Sequence, residues 1–394
     1  MGYRGYTVID SDGHVTEPYS LYATYTEEPY RERAQALLAQ GQQQDGGVIA
    51  VLNELHDRRS WRPRRRLLGA REHWETAADF KMGNNGRHSK ARPLAGEDPH
   101  QTIQDLDEIG IDVFTGFASR ATSLCGVGDA KFEAALVRAF NKWMRDFCAP
   151  YPKRLKGVAV LPIIDVDLMI EELERVAKEE WCIGIATMGH YENMLPDHPR
   201  WYPLYEAAQR HELPICFHAG GSERPPYTPG REELGDNPWL LHVTGHPWGI
   251  QRAMAAAIGG GIYDLFPRLN FVYLEAWCGW LPGWIERLDG EAAKPDLRVS
   301  IPKLQRRPSD HLLGLRSFYS FDPGEKLLPM VVREVGAERM VWASDYPHWD
   351  CPWDIMLTGV TDRAELTEDQ KRLILGENAL RLYPRIGSYA TITA

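Results

Sequence analysis

Eight short apolar runs, most of them too brief for a helix, punctuate this chain, and amphipathic stretches fill several of the gaps between them. In order, the runs are Tyr6–Asp12, Ile111–Ser119, Leu155–Pro162, Cys182–Gly189, Leu213–Gly220, Leu269–Trp277, Ser317–Asp322 and Met340–Asp345. Apolar residues recur at helical spacing over Lys131–Cys148, Val166–Glu180, Trp201–His211 and Pro329–Val335. Apolar strands that alternate with helices build a parallel sheet covered by helices. Eight such units predict an α/β fold, a (β/α)8 barrel of the TIM type. A doubly wound sheet is the runner-up. No Gly-x-Gly-x-x-Gly or Walker loop follows a strand, which disfavours it.

The spacing predicts a single barrel domain over residues 1–386 and a tail over 387–394. Residues 19–105 form an insertion between the first two strands, longer than one connecting helix requires. It contains a polar helical stretch, Tyr25–Gln44, and a basic patch, Arg58-Arg59 to Arg64-Arg65-Arg66, followed by a polar loop, Lys81–Pro99. The patch reads as a solvated face, with an anionic substrate or partner subunit as the minority reading. A second insertion, Gly221–Pro238, follows strand five and is expected to lie over the active-site face as a lid or interface loop.

Composition narrows the class. At 43% hydrophobic and 25% charged, the 394 residues suit a large globular core. A formal charge of −10 argues against nucleic-acid binding, which needs a basic face. No signal peptide and no membrane-length apolar run is visible, so a cytoplasmic protein without a membrane segment is expected. The six cysteines, Cys125, Cys148, Cys182, Cys216, Cys278 and Cys351, form no C-x-x-C pair and read as reduced core thiols. Tryptophans clustered with Gly and Pro, as at Trp277, Trp280 and Trp284, suggest walls of a pocket or interface.

Catalytic groups of such a barrel sit at the C-terminal ends of its strands. Strand one offers Asp12 and His14, two residues apart and therefore on one side of an extended chain, with Gly13 allowing close approach between them. A carboxylate beside an imidazole suits zinc, iron or manganese. The later ends bring His190, His218, Glu275, Asp322, and Asp345 with His348. Ionisable or metal-binding groups at six of eight ends are more than ordinary loop starts would supply.

Asp12-Gly13-His14, His218 and Ser344-Asp345-Tyr346-Pro347-His348 resemble the amidohydrolase superfamily. More narrowly they resemble the amidohydrolase-related branch that includes nonoxidative decarboxylases such as aminocarboxymuconate semialdehyde decarboxylase. The resemblance extends through Gly260–Leu269 and the Glu275-Ala276-Trp277-Cys278-Gly279-Trp280 run. It implies a metal held by Asp12, His14, His218 and Asp345, with Asp345 also moving protons. Three departures matter. Asp12 stands where the most familiar family motif has His, shifting preference from zinc toward iron or manganese. Strand four lacks the Lys that dinuclear hydrolases carbamylate. Glu275 stands where the decarboxylases place a catalytic His.

Glu275 could instead bind or bridge a second ion, with Glu17, His190, His242, His246 and His348 as further candidates. His242 and His246 have i, i+4 spacing on one helical face. The bland alternatives are polar residues at a helix start for that pair, a turn cap for Glu17, a core or supporting role for His190, and orientation of Asp345 for His348. A small set of the family's members holds two iron or manganese ions and hydroxylates unactivated carbon with dioxygen.

The favoured reading is therefore O2-dependent hydroxylation of a small, carboxylated molecule at a dinuclear iron or manganese site, with Asp345, Glu275 and His348 as catalytic residues. The alternative is a metal-dependent hydrolase or nonoxidative decarboxylase with one ion, zinc included. A third reading is a metal-binding subunit of a hetero-oligomer with a related chain; a homo-oligomer is also compatible. Arg224 and Arg231 on the strand-five loop, and Arg120 after strand two, are weak candidates to anchor an anionic substrate.

Overall fold

The computed structural model describes residues 2–42, 87–126, 129–187, 194–218, 239 and 241–387. The basic patch, His190, Arg224, Arg231, the whole of the strand-five loop Gly221–Pro238 and residues 388–394 lie outside them. Eight parallel strands run in the order β1 to β8. They are Ile9–Val15, Val113–Ala118, Leu155–Ala159, Cys182–Thr187, Ile215–His218, Phe271–Leu274, Ser317–Phe321 and Met340–Trp342. The end of β8 returns to β1: the Asp345 N–H donates to the Asp12 carbonyl at 3.0 Å, and the His14 N–H to the Tyr346 carbonyl at 2.6 Å. The (β/α)8 barrel expected from the alternation is the observed fold.

The helices fall where the periodicity put them, at Ala130–Cys148, Val166–Val176, Tyr202–Arg210 and Leu328–Val335. Asp129 and Asp165 cap the first two by accepting backbone N–H bonds in the first turn. Their apolar faces join the large cluster between strands and helices. A second cluster fills the barrel itself, with Ile9, Val113, Val158, Ile183, Cys216, Val272, Phe318 and Val341. Leu382, Tyr383 and Ile386 from the end of the chain join this inner cluster. All six cysteines are buried and none is disulfide-bonded. Among the described residues no helix is long and apolar enough to cross a membrane.

Within the first insertion, a helix occupies Arg31–Gln42. Its last part returns to the barrel mouth: Arg87 forms a β-bridge with His348, and the His88 N–H donates to the Pro347 carbonyl at 2.8 Å.

Candidate metal centre

β1 is buried along its whole length, yet it carries Asp10, Ser11, Asp12 and His14. Buried polar groups need partners. Asp10 accepts from the Ser344 N–H at 3.0 Å, the Ser344 hydroxyl at 2.5 Å and the Asp12 N–H at 3.2 Å. Burial lifts its carboxyl to about 7 against the pull of these donors. The pairing of β1 with β2 shifts register between Asp10 and Gly13. One extra residue reverses which side chains face inward. Ile9 packs inside the barrel, and past the shift Asp12 and His14 turn to the same interior at its mouth. Gly13 is required there, because a Cβ would lie 2.2 Å from the Phe114 ring and 2.6 Å from Asp10 Oδ2.

Four of the expected ligands converge. His218 Nε2 lies 3.1 Å from Asp12 Oδ1. His14 Nε2 lies 3.1 Å from Asp345 Oδ1 and 3.8 Å from Asp12 Oδ1. Asp12, His14 and His218 form one group that could hold a metal ion, and His14, Asp345 and His348 form another. Among the described residues, neither ring nitrogen of buried His14 makes a well-directed hydrogen bond, since Asp345 Oδ1 comes within 3.1 Å of Nε2 without the geometry of one. An unsatisfied buried polar group costs roughly 1–3 kcal/mol, and coordination to a cation relieves that cost. Two imidazoles with two carboxylates suit manganese, iron or zinc. The residues present fit a divalent ion.

Burial acts on the two β1 donors in opposite senses for metal binding, favouring the liganding form of His14 and opposing that of Asp12. Burial, together with His348 and His218 nearby, holds the His14 imidazole well below its usual value, so it stays neutral. Burial raises the Asp12 carboxyl to about 6; His218 pulls it down, while Glu275 and Asp345 push it up. The Phe117 ring stands 5.2 Å from His218 and 6.3 Å from His14, an apolar wall beside the donors.

His348 has both ring nitrogens engaged. Nδ1 lies 2.8 Å from Asp345 Oδ1 and Nε2 lies 3.0 Å from the Ser119 hydroxyl. Its ring stacks on His14 at 3.8 Å. Burial lowers its pKa, but the charge and hydrogen bond of Asp345 outweigh that and lift it to about 9. Engaged on both sides by Asp345 and Ser119, the ring is placed to orient Asp345. Glu17 is spent elsewhere. Its buried carboxylate accepts the backbone N–H groups of Ser119, Arg120 and Ala121 at 3.2, 2.6 and 2.5 Å. Burial pushes its pKa up and the Arg120 charge pulls it down. Arg120 in turn donates to the Glu17 carbonyl at 2.6 Å and lies over the Tyr19 ring. The structure thus gives Glu17 the turn-capping role and ties Arg120 to it.

Across the mouth, Glu275 meets two histidines. Oε2 lies 3.3 Å from His218 Nδ1 and Oε1 3.8 Å from His246 Nδ1. The expected i, i+4 helical pair differs in detail. Leu241–Gly245 is a π turn, and the α-helix His246–Gly259 starts at the second histidine. The rings of His242 and His246 still stand 4.2 Å apart. Glu275, Trp277 and Asp345 all have left-handed backbone, φ 53°, 56° and 55°. For residues other than glycine this costs of order 1–3 kcal/mol each and recurs at active sites.

Asp350 and Ser119 belong to this mouth but were not singled out from the sequence. Asp350 Oδ2 lies 3.3 Å from His242 Nε2. Asp350 follows His348 by two residues, and proximity to that motif was the available signal. Burial raises the Asp322 carboxyl, with Asp345 and Asp350 adding to the effect.

Comparison with known proteins follows the same lines. The amidohydrolase family model matches residues 9–385. Gamma-resorcylate decarboxylase of Rhodococcus jostii is 24% identical over 287 residues, covering 69% of this chain and 83% of that protein. The crystal structure of 5-carboxyvanillate decarboxylase from Sphingomonas paucimobilis superposes with a TM-score of 0.69 at 21% identity, covering 96% of this chain and 99% of that one. Dihydroxybenzoic acid decarboxylase from Polaromonas sp. JS666, with bound manganese and 2-nitroresorcinol, gives a TM-score of 0.61 at 19% identity, covering 75% and 89%.

Proposed function

The chain belongs to the amidohydrolase family, and from that premise we propose that it is a metal-dependent decarboxylase of small hydroxylated aromatic acids. The observation that carries this is the meeting of Asp12, His14, His218 and Asp345 at one barrel mouth, in a chain whose curated relatives include a gamma-resorcylate decarboxylase. This reverses the order of preference drawn from the sequence, where hydroxylation stood first. A divalent ion bound by those four residues supplies Lewis acidity toward substrate oxygens. Manganese is the favoured ion, since a structural neighbour carries it.

The protein's own groups divide the remaining work. His348 donates to Asp345 Oδ1 and can resupply its proton. Asp345 delivers that proton to the ring carbon bearing the carboxylate. The carbon–carboxyl bond breaks, carbon dioxide leaves, and the electron pair stays on the ring carbon as its new C–H bond. Phe117 beside His14 and His218 gives the aromatic ring an apolar surface. Glu275 holds His218 and His246 in place.

Manganese-loaded protein under nitrogen should release carbon dioxide from 2,6-dihydroxybenzoate or 5-carboxyvanillate. Absence of release from a panel of hydroxybenzoates would overturn the reading. A second reading, hydroxylation, is favoured by one observation, the gathering of His242, His246 and Glu275 beside the first group. It requires dioxygen and an external two-electron donor, forming the alcohol and water. Substrate-dependent oxygen uptake in air, without carbon dioxide release, would select it.

A further inference from the structure

We propose that Trp277 is a specificity-determining residue of the proposed reaction: its indole covers the outer face of a planar aromatic substrate held at the barrel mouth. Three tryptophans cluster after β6, Trp277, Trp280 and Trp284. The rings of Trp280 and Trp284 are partly buried and pack against the core. Trp277 instead stays 63% exposed. Its backbone is also left-handed, φ 56°. Among the described residues it is the one large apolar residue that is both exposed and left-handed.

Two costs meet at this residue. Left-handed backbone is unfavourable for residues other than glycine. An exposed indole also forgoes the apolar burial that tryptophan gains in a core. Strain of this kind persists only where the surrounding contacts over-determine it. Here they do. The Glu325 carboxylate, buried in the loop after β7, accepts the Cys278 N–H at 2.9 Å, the Gly279 N–H at 3.0 Å and the Asp322 N–H at 2.9 Å. The Cys278 thiol donates to the same carboxylate at 3.4 Å. Arg363 fixes Glu325 in turn, donating to its carbonyl at 2.7 Å. On the other side of Trp277, the Trp280 indole N–H donates to the Ala276 carbonyl at 2.7 Å. The backbone is tied on both sides of Trp277 while its ring is left outside. A residue needed only to complete this turn would be glycine.

The position suits a cover for the site. Glu275, two residues earlier, sets its carboxylate 3.3 Å from His218 Nδ1. Consecutive Cα atoms are about 3.8 Å apart, so the Cα atoms of Glu275 and Trp277 lie within about 8 Å of each other. Phe117 lines the inner side, beside His14 and His218. A flat ring bound at the mouth gives the exposed indole the apolar face it otherwise goes without. Aromatic pairing then favours that ring over an aliphatic acid of the same charge. The inference takes the aromatic nature of the substrate from the decarboxylase reading and rests on it there. The bland counterpart is a tryptophan covered by a second copy of the chain.

Substitutions at this one position test the inference in the full, manganese-loaded chain. Trp277→Gly removes the ring and the backbone strain together, so it should melt at a higher temperature than the parent. Its KM for 2,6-dihydroxybenzoate or 5-carboxyvanillate should nonetheless rise about tenfold, with the loss in KM and not in kcat. Trp277→Phe should recover most of that KM. Trp277→Ala should show the same rise and keeps the test open if the glycine variant does not fold. Calorimetry with the same two acids reads binding apart from turnover. Binding without carbon dioxide release, weakened about tenfold in Trp277→Gly, would overturn the decarboxylase reading and uphold the inference. Carbon dioxide release with an unchanged KM in Trp277→Gly and Trp277→Ala would overturn the inference and uphold the reading. A fall in sedimentation mass in those variants would place the ring between copies of the chain and overturn the inference as well.

Discussion

The seam between β1 and β8 and the opposite wall after β5 and β6 both carry metal-binding side chains, but they are built differently. Asp12 and His14 sit inside a fully buried strand. Their backbone is bonded to Asp345 and Tyr346, and Asp10 is bound by both the backbone and the side chain of Ser344. His242 and Asp350 stand on a turn and a loop, and the His242 side chain is half exposed. Donors locked by a strand register are in place before an ion arrives. Donors on a helix start and a loop are less constrained, and their affinity depends on groups that can still move. The seam is therefore expected to hold a divalent ion more tightly than the opposite wall.

The sharpest way to break this contrast is to remove one ligand from each side. His14→Ala should lose the tight manganese equivalent outright and all turnover with it, by calorimetry and activity assay. Equal affinity losses in His14→Ala and His242→Ala would erase the distinction between the two walls. A smaller effect is expected at His348. It holds Asp345 through Nδ1 and is itself held by Ser119. Loss of a group supporting a ligand typically costs about 10–100-fold in metal affinity or activity, so His348→Gln should fall in that range while still binding the ion. Full retention of affinity and activity would mean that Asp345 needs no support.

The smallest effect is a proton competing with the ion. The Asp12 carboxyl is raised to about 6 without metal, chiefly by burial. A raised acid holds its proton to higher pH, so manganese affinity should fall as pH drops below about 6, by about tenfold per unit where one proton competes. A flat profile between pH 5 and 7 would place the competing group elsewhere.

The barrel was legible because its strands are apolar on both faces and its helices keep a helical period. What escaped the sequence depended on contacts between distant residues. β1 was expected to end at Asp12, but it runs to Val15 because its polar side chains find buried partners. The register shift that turns Asp12 and His14 inward has no sequence signature, although Gly13 marked the close approach of Phe114. Glu17 read equally as a second-ion ligand or as a turn cap, by residue type and proximity to His14. Three backbone N–H groups from the loop after β2 claim it instead. Asp350, an acid in a loop, offers no periodicity to read, and only the fold sets it against His242.

The most direct test is a manganese anomalous-scattering map from a crystal of the metal-loaded chain. The tight ion should appear bounded by Asp12, His14, His218 and Asp345. Strong manganese density elsewhere, with those four side chains coordinating nothing, would contradict the centre on which the proposed chemistry depends.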